Sequence, residues 1–244
     1  MSKFGLALGV VLAVGAASGA GAVTLNVTSV GAYNLSQFTM SGTIAGYGPF
    51  SSVEYGGPIV LQGTTGTGAP FTVISYCFDI LHPISAGFGS QAPLNYTFTS
   101  TAFTTDQSTG PGTGNVLSLA QINNMSGLAR MGAHMFQTGA ADLDAKMPAI
   151  QAAIWTIEYG LTATGFTNPG ALAYYTSYIN TVFNGPATIG FVARNAQGQI
   201  VGGQQGLIGG AGNVPEPATW SLLIIGFGMV GFASRHRANS TFAA

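Results

Sequence analysis

Two stretches, PFTVISYCFDIL (residues 70–81) and SLAQINNMSGLARMGAHMF (residues 118–136), decide the fold class between them. The first is rich in β-branched and aromatic residues and reads as a strand. The second sets Leu119, Ile122, Met125, Leu128, Met131 and Met135 three and four apart, the spacing of one helix face. Working outward toward the N-terminus, TLNVTSV, LSQFTMSGTIAG and GPIVLQG read as further strands between glycine-rich turns, and APLNYTFTS follows as another. Toward the C-terminus, Pro148 predicts the first position of a second helix, with Ile150, Ile154 and Ile157 on one face and Gly160 as its stop. ALAYYTSYINTVF reads as a third helix. ATIGFVAR and QIVGG then form a hairpin around Asn195 to Gly198. The expectation for residues 23–208 is an α+β fold: a mostly antiparallel β domain with an inserted helical subdomain.

Composition narrows the function. Of the 244 residues only 5% are charged, against about a quarter in typical soluble proteins. Hydroxyl, amide and glycine residues therefore carry the surface. Six Lys plus Arg, two of them at the C-terminal end, are too few to neutralise a phosphate backbone, so nucleic acid is excluded as a partner.

The two ends read as targeting segments. Lys3 precedes a small and apolar run over residues 4–17, and Ala20-Gly21-Ala22 supplies a small-x-small site for signal peptidase, so residues 1–22 read as a signal peptide. At the other end a glycine-rich linker over residues 209–213 leads into Val214-Pro215-Glu216-Pro217-Ala218-Thr219-Trp220. An apolar run follows, then Arg235-His236-Arg237, and a short tail over residues 238–244. The prolines hold the Glu216 peptide extended. Trp220 suits the membrane interface, and Arg235 and Arg237 orient the run with its C-terminal end in the cytoplasm.

Residues 214–237 resemble the PEP-CTERM sorting signal in its Trp-bearing form. The resemblance implies a transmembrane sorting helix and processing by exosortase near Pro215, Glu216 and Pro217. It also implies residence in the inner membrane as a precursor, followed by a place at the cell surface or in the extracellular matrix. Within the apolar run, Gly226-Phe227-Gly228-Met229-Val230-Gly231 matches the dinucleotide fingerprint but has no preceding strand and no acid downstream, so no cofactor is expected.

The mature domain carries one cysteine, Cys77, within Tyr76-Cys77-Phe78-Asp79, with His82 shortly after. An exported chain meets an oxidising compartment, where a lone thiol forms no internal disulfide. Further on, Ile150-Gln151-Ala152-Ala153-Ile154-Trp155 lies in the second helix. An aromatic-Cys strand and an apolar-Gln helix in this order are similar to the thioester domains of bacterial surface adhesins. That resemblance implies a bond between the Cys77 sulfur and the Gln151 carboxamide carbon, open to a surface amine or hydroxyl. Trp155, one turn after Gln151, is placed to shield such a bond. Asp79 and His82 are candidates for proton transfer by their nearness in sequence. The plain alternative is a buried thiol and a hydrogen-bonded glutamine.

Other patterns are weaker. Cys77 with His134 lacks an orienting partner for a protease, and no residues show metal-ligand spacing. Asp142 and Asp144 read as the opening of a helix. The chain is therefore read as a non-enzymatic surface protein, as a covalent adhesin through Cys77 and Gln151, or as a module that binds exopolysaccharide through exposed Tyr and Phe.

Overall fold

The computed structural model describes residues 23–66, 68–81, 96–102, 117–183, 189–194 and 206–209. The signal peptide, His82 and the sorting residues Pro215, Glu216, Pro217, Trp220, Arg235 and Arg237 lie outside the described residues, as does the QIVGG half of the expected hairpin.

The fold is α+β, and its β part is more closed than a simple sheet. Strands β1 (Val23–Ala32), β4 (Ile59–Thr65), β5 (Pro70–Cys77) and β6 (Tyr96–Ala102) join β8 (Ile189–Arg194) and β9 (Leu207–Gly209) in an antiparallel barrel of order β1-β4-β5-β9-β8-β6. Strands β2 (Ser36–Ile44), β3 (Gly48–Gly56) and β7 (Thr162–Thr164) form a second antiparallel sheet of order β3-β2-β7. Among the described residues, three helices follow β6: α1 (Leu119–Thr138), α2 (Leu143–Tyr159) and α3 (Gly170–Ile179).

The helices are not a subdomain of their own. Ile122, Met125 and Leu128 from α1, and Met147, Ile150 and Ile154 from α2, share one core with Leu61 and Val73 of the barrel and Phe38 and Met40 of the second sheet. A helix with an apolar face must bury it against another layer, and both sheets offer one. Helix α2 sits centrally: twelve of its residues are buried, and it packs on α1, α3 and both sheets.

Local chemistry sets the helix ends. Ser118 accepts from the Gln121 backbone N–H while the Gln121 side chain accepts from the Ser118 N–H, a reciprocal cap that fixes the start of α1. Gly139 and Gly160, both left-handed, close α1 and α2. Three expectations need correction. Pro148 does not open α2 but lies inside it, because the burial of Ala145 and Met147 draws the preceding turn into the helix. Leu119 is exposed, since α1 buries the stripe Ile122, Met125, Leu128, Ala129, Ala133 and leaves its first turn at the rim. Helix α3 ends at Ile179, well before Phe183, whose N–H instead bonds the Asn124 side chain.

The close fit of α1 on the barrel depends on Gly132. A Cβ there would overlap the Tyr76 hydroxyl and crowd Ile150, while that hydroxyl bonds the Met147 sulfur at 3.1 Å. Gly132→Ala is expected to lower stability by about 2 kcal/mol despite alanine's higher helix propensity, as overpacking in a filled core does. Urea titration of both chains measures it, and a more stable variant would contradict this packing.

Candidate functional site

The site begins at the end of β5. Along an antiparallel strand, successive residues point their backbone groups to alternate neighbours. Tyr76 pairs with Ile208 of β9, and the Phe78 N–H donates to Gly206 O at 3.1 Å, so the N–H and C=O of Cys77 face the opposite side. That side belongs to β4, but the β4 ladder runs only from Thr64 to Ile59, which pairs with Ser75. The chain turns away at Pro58, whose carbonyl accepts from the Tyr33 N–H. Two buried backbone groups at Cys77 are thus left without a strand partner, and such groups must be satisfied.

Gln151 of α2 satisfies both. The Cys77 N–H donates to Gln151 Oε1 at 2.9 Å, and Gln151 Nε2 donates to the Cys77 carbonyl at 2.5 Å. The carboxamide takes the place of a missing strand residue. Its stem rests on Gly56 at the end of β3, where a Cβ would stand 3.0 Å from Gln151 Cβ and would overlap the Phe38 ring. Trp155, one turn on, lies tilted against Phe38 with ring centroids 5.9 Å apart. Gln151 is 1% exposed and Cys77 8%.

The electrostatic surroundings are acidic. The Cys77 thiol is pushed well above its ordinary range by burial first, then by the Asp79 and Glu54 carboxylates. Cys77 is therefore a neutral thiol near pH 7. Asp79, 1% exposed, accepts from the Leu81 N–H at 3.1 Å and from the Tyr159 hydroxyl at 3.5 Å. Burial, followed by the Asp79 charge, raises Glu158 well above the carboxylate range, against a hydrogen bond from Tyr159 that lowers it. Among the described residues, Glu158 Oε2 and the Trp155 indole N–H are both buried without a hydrogen-bond partner.

The structure thus brings Cys77, Gln151, Trp155 and Asp79 into one region. His134 is exposed on α1 and is not part of it. Glu158, Tyr159 and Glu54 belong to the site but were not read from the sequence. For Glu158 a signal was present, because positions 151, 155 and 158 fall on one face of a helix.

What fold and site define together is a barrel-and-helix domain built around a buried cysteine and glutamine. The comparisons speak to the C-terminal end: residues 213–238 match the PEP-CTERM protein-sorting motif. That motif marks an exported, exosortase-targeted protein that transits the membrane and ends on the cell surface. No curated protein and no solved structure matches the chain.

The Glu158 acid has a consequence for stability. Its folded pKa is raised above the ordinary 4.5, so the folded chain holds this proton more tightly than the unfolded chain. The contribution is fully present below pH 4.5 and is lost as pH rises toward the raised value. Glu54, also raised by burial, acts in the same direction. Glu158→Gln should remove a slope of up to roughly 1.4 kcal/mol per pH unit from the stability profile above the carboxylate range. Urea unfolding from pH 5 to pH 8 measures the slope, and parallel profiles for both chains would contradict a protonated Glu158.

Proposed function

We propose that the mature domain is a non-enzymatic surface adhesin that joins its target covalently, through an internal thioester between Cys77 and Gln151. The observation that carries this reading is the two-point clasp of the Gln151 carboxamide on the Cys77 peptide groups. The same residues that hold these hydrogen bonds supply the thiol and the acyl carbon of the bond.

The chemistry follows from the surroundings. Sulfur attacks Gln151 Cδ, the C–N bond breaks, and ammonia leaves. The Cys77 N–H, already on Oε1, is placed to stabilise the negative charge that develops on that oxygen. Burial excludes water, which would hydrolyse the acyl group. An arriving amine or hydroxyl then captures the acyl carbon and returns the thiol. Export and display by exosortase would present this group at the cell surface, where such nucleophiles occur on neighbouring cells and matrix.

A second reading is a glycan-binding module without thioester chemistry, held to exopolysaccharide by stacking on exposed rings. The exposed Tyr47, in the turn between β2 and β3, and Tyr55 of β3 favour it, at 59% and 51% exposure. Glycan binding that survives Cys77→Ser would separate it from the first.

Intact-mass spectrometry on freshly purified protein tests the thioester. The wild type is expected to be lighter than its processed sequence by one ammonia and to take up methylamine at Gln151, with Cys77→Ala and Gln151→Ala at full mass. A wild type of full mass, with one free thiol on denaturation and no methylamine adduct, would overturn the reading.

A further inference from the structure

A second concavity lies where three parts of the chain meet: the passage from β1 into β2, the connection from β7 to α3, and the first turn of α2. It is a groove of about 380 Å³, lined by Leu35, Ser36, Asp144, Thr167, Asn168 and Pro169. That volume falls within the range of small-ligand sites, roughly 300–1,000 Å³. The groove shares no residue with the Cys77 region or with the exposed rings Tyr47 and Tyr55.

Its polar side chains are anchored on one side and open on the other. The Asn34 amide donates to Asp144 Oδ1, which ties the β1 to β2 passage to α2. The Gly170 N–H donates to Asn168 Oδ1 at 3.0 Å. The Thr167 N–H and hydroxyl both donate to the Gln37 carbonyl, at 2.9 and 3.2 Å. These bonds hold the walls in place before any ligand arrives, which lowers the ordering cost of binding. Among the described residues, Asp144 Oδ2, Asn168 Nδ2 and the Ser36 hydroxyl make no hydrogen bond. Asp144 Oδ2 can only accept, Asn168 Nδ2 can only donate, and Ser36 can do either.

We propose that this groove binds a neutral saccharide. A sugar hydroxyl donates and accepts at once, so neighbouring hydroxyls on a ring meet an acceptor, a donor and a hydroxyl with none left unpaired. Leu35 and Pro169 offer aliphatic surface to the C–H face of the same ring. Charge argues against the other classes. Among the described residues no Lys or Arg lines the groove, because Lys146 is turned onto the Ala141 carbonyl at 2.7 Å and lies over the Tyr174 ring. An anion therefore finds no counter-charge. A cation finds one exposed carboxylate, with one oxygen already bonded to Asn34, and such a group holds it only weakly in water.

This inference rests on the glycan-binding reading and gives it a site other than the exposed rings; its test separates the two. The full chain in detergent is titrated by calorimetry with cellohexaose, maltohexaose and mannohexaose, and with a lysine hexapeptide and hexagalacturonate as charged probes. At least one neutral sugar is expected to bind at millimolar concentration or below, and neither charged probe should. Asp144→Asn keeps an acceptor for Asn34 and should weaken sugar binding roughly tenfold, the scale of one lost hydrogen bond to a charged group. Ser36→Ala removes a hydroxyl that holds nothing else and should weaken it roughly threefold, the scale of one neutral hydrogen bond. Tyr47→Ala and Tyr55→Ala should leave it unchanged, with thermal unfolding confirming that each variant is folded. Sugar binding that survives both groove variants and is lost in the tyrosine variants would overturn the groove while leaving the glycan reading intact. No binding of any neutral sugar would overturn both, and binding of a charged probe in its place would overturn the ligand class.

Discussion

The two hydrogen bonds between the Gln151 carboxamide and the Cys77 peptide groups are the constraint on which the rest of the domain depends. Strand β5 runs past the point where β4 leaves it, and without Gln151 it would bury an N–H and a C=O with no partner. Unmet buried groups of this kind cost about 1–3 kcal/mol each. A glutamine on α2 meets both and thereby fastens the central helix to the barrel. The neighbours are sized for that contact: Gly56 makes room for the glutamine stem, and Phe38 and Trp155 close over it. The Tyr76 to Met147 bond ties the same strand to the same helix from the preceding residue.

The clasp also sets the chemistry. A glutamine held by its oxygen on a peptide N–H is a polarised carbonyl in a dry pocket, beside a thiol that burial and acids keep protonated. An environment that merely stored a reactive thiolate would be cationic, whereas the charges acting on Cys77 are carboxylates. Such a pocket suppresses free thiol reactivity. The sorting motif at residues 213–238 directs such a chain to the cell surface.

Much of this was legible in particular residues. The Gly160 stop and the strand that carries Cys77 have strong local signals, and each element stands close to where those signals put it, although the strand ends at Cys77 and does not run on to Leu81. Strand β3 was missed because its alternation runs against the usual pattern: Val53 and Tyr55 are exposed while Ser52 and Glu54 turn toward the interior. Strands β7 and β9, three residues each, are too short to show any period, so the closure of the barrel could not be read. The pairing of Cys77 with Gln151 was legible only as two motifs in order. That a side chain completes the ladder left by β4 is a tertiary fact with no counterpart in spacing. Glu158 was legible only as the third member of the helix face that carries positions 151 and 155, a signal offset by its place next to a helix stop, where an acid is ordinarily solvated.

The Cys77 amide reports on the clasp most directly, because Oε1 can accept from it whether or not the carboxamide has lost ammonia. Native-state hydrogen exchange of that amide in the wild type and in Gln151→Leu is therefore the decisive measurement. The account predicts wild-type protection as high as that of the ladder amides of β5, and a loss of about 1–3 kcal/mol of local protection at Cys77 in the variant, beyond any global change. A Cys77 amide that exchanges rapidly in the wild type, or one equally protected relative to global stability in both chains, would contradict it.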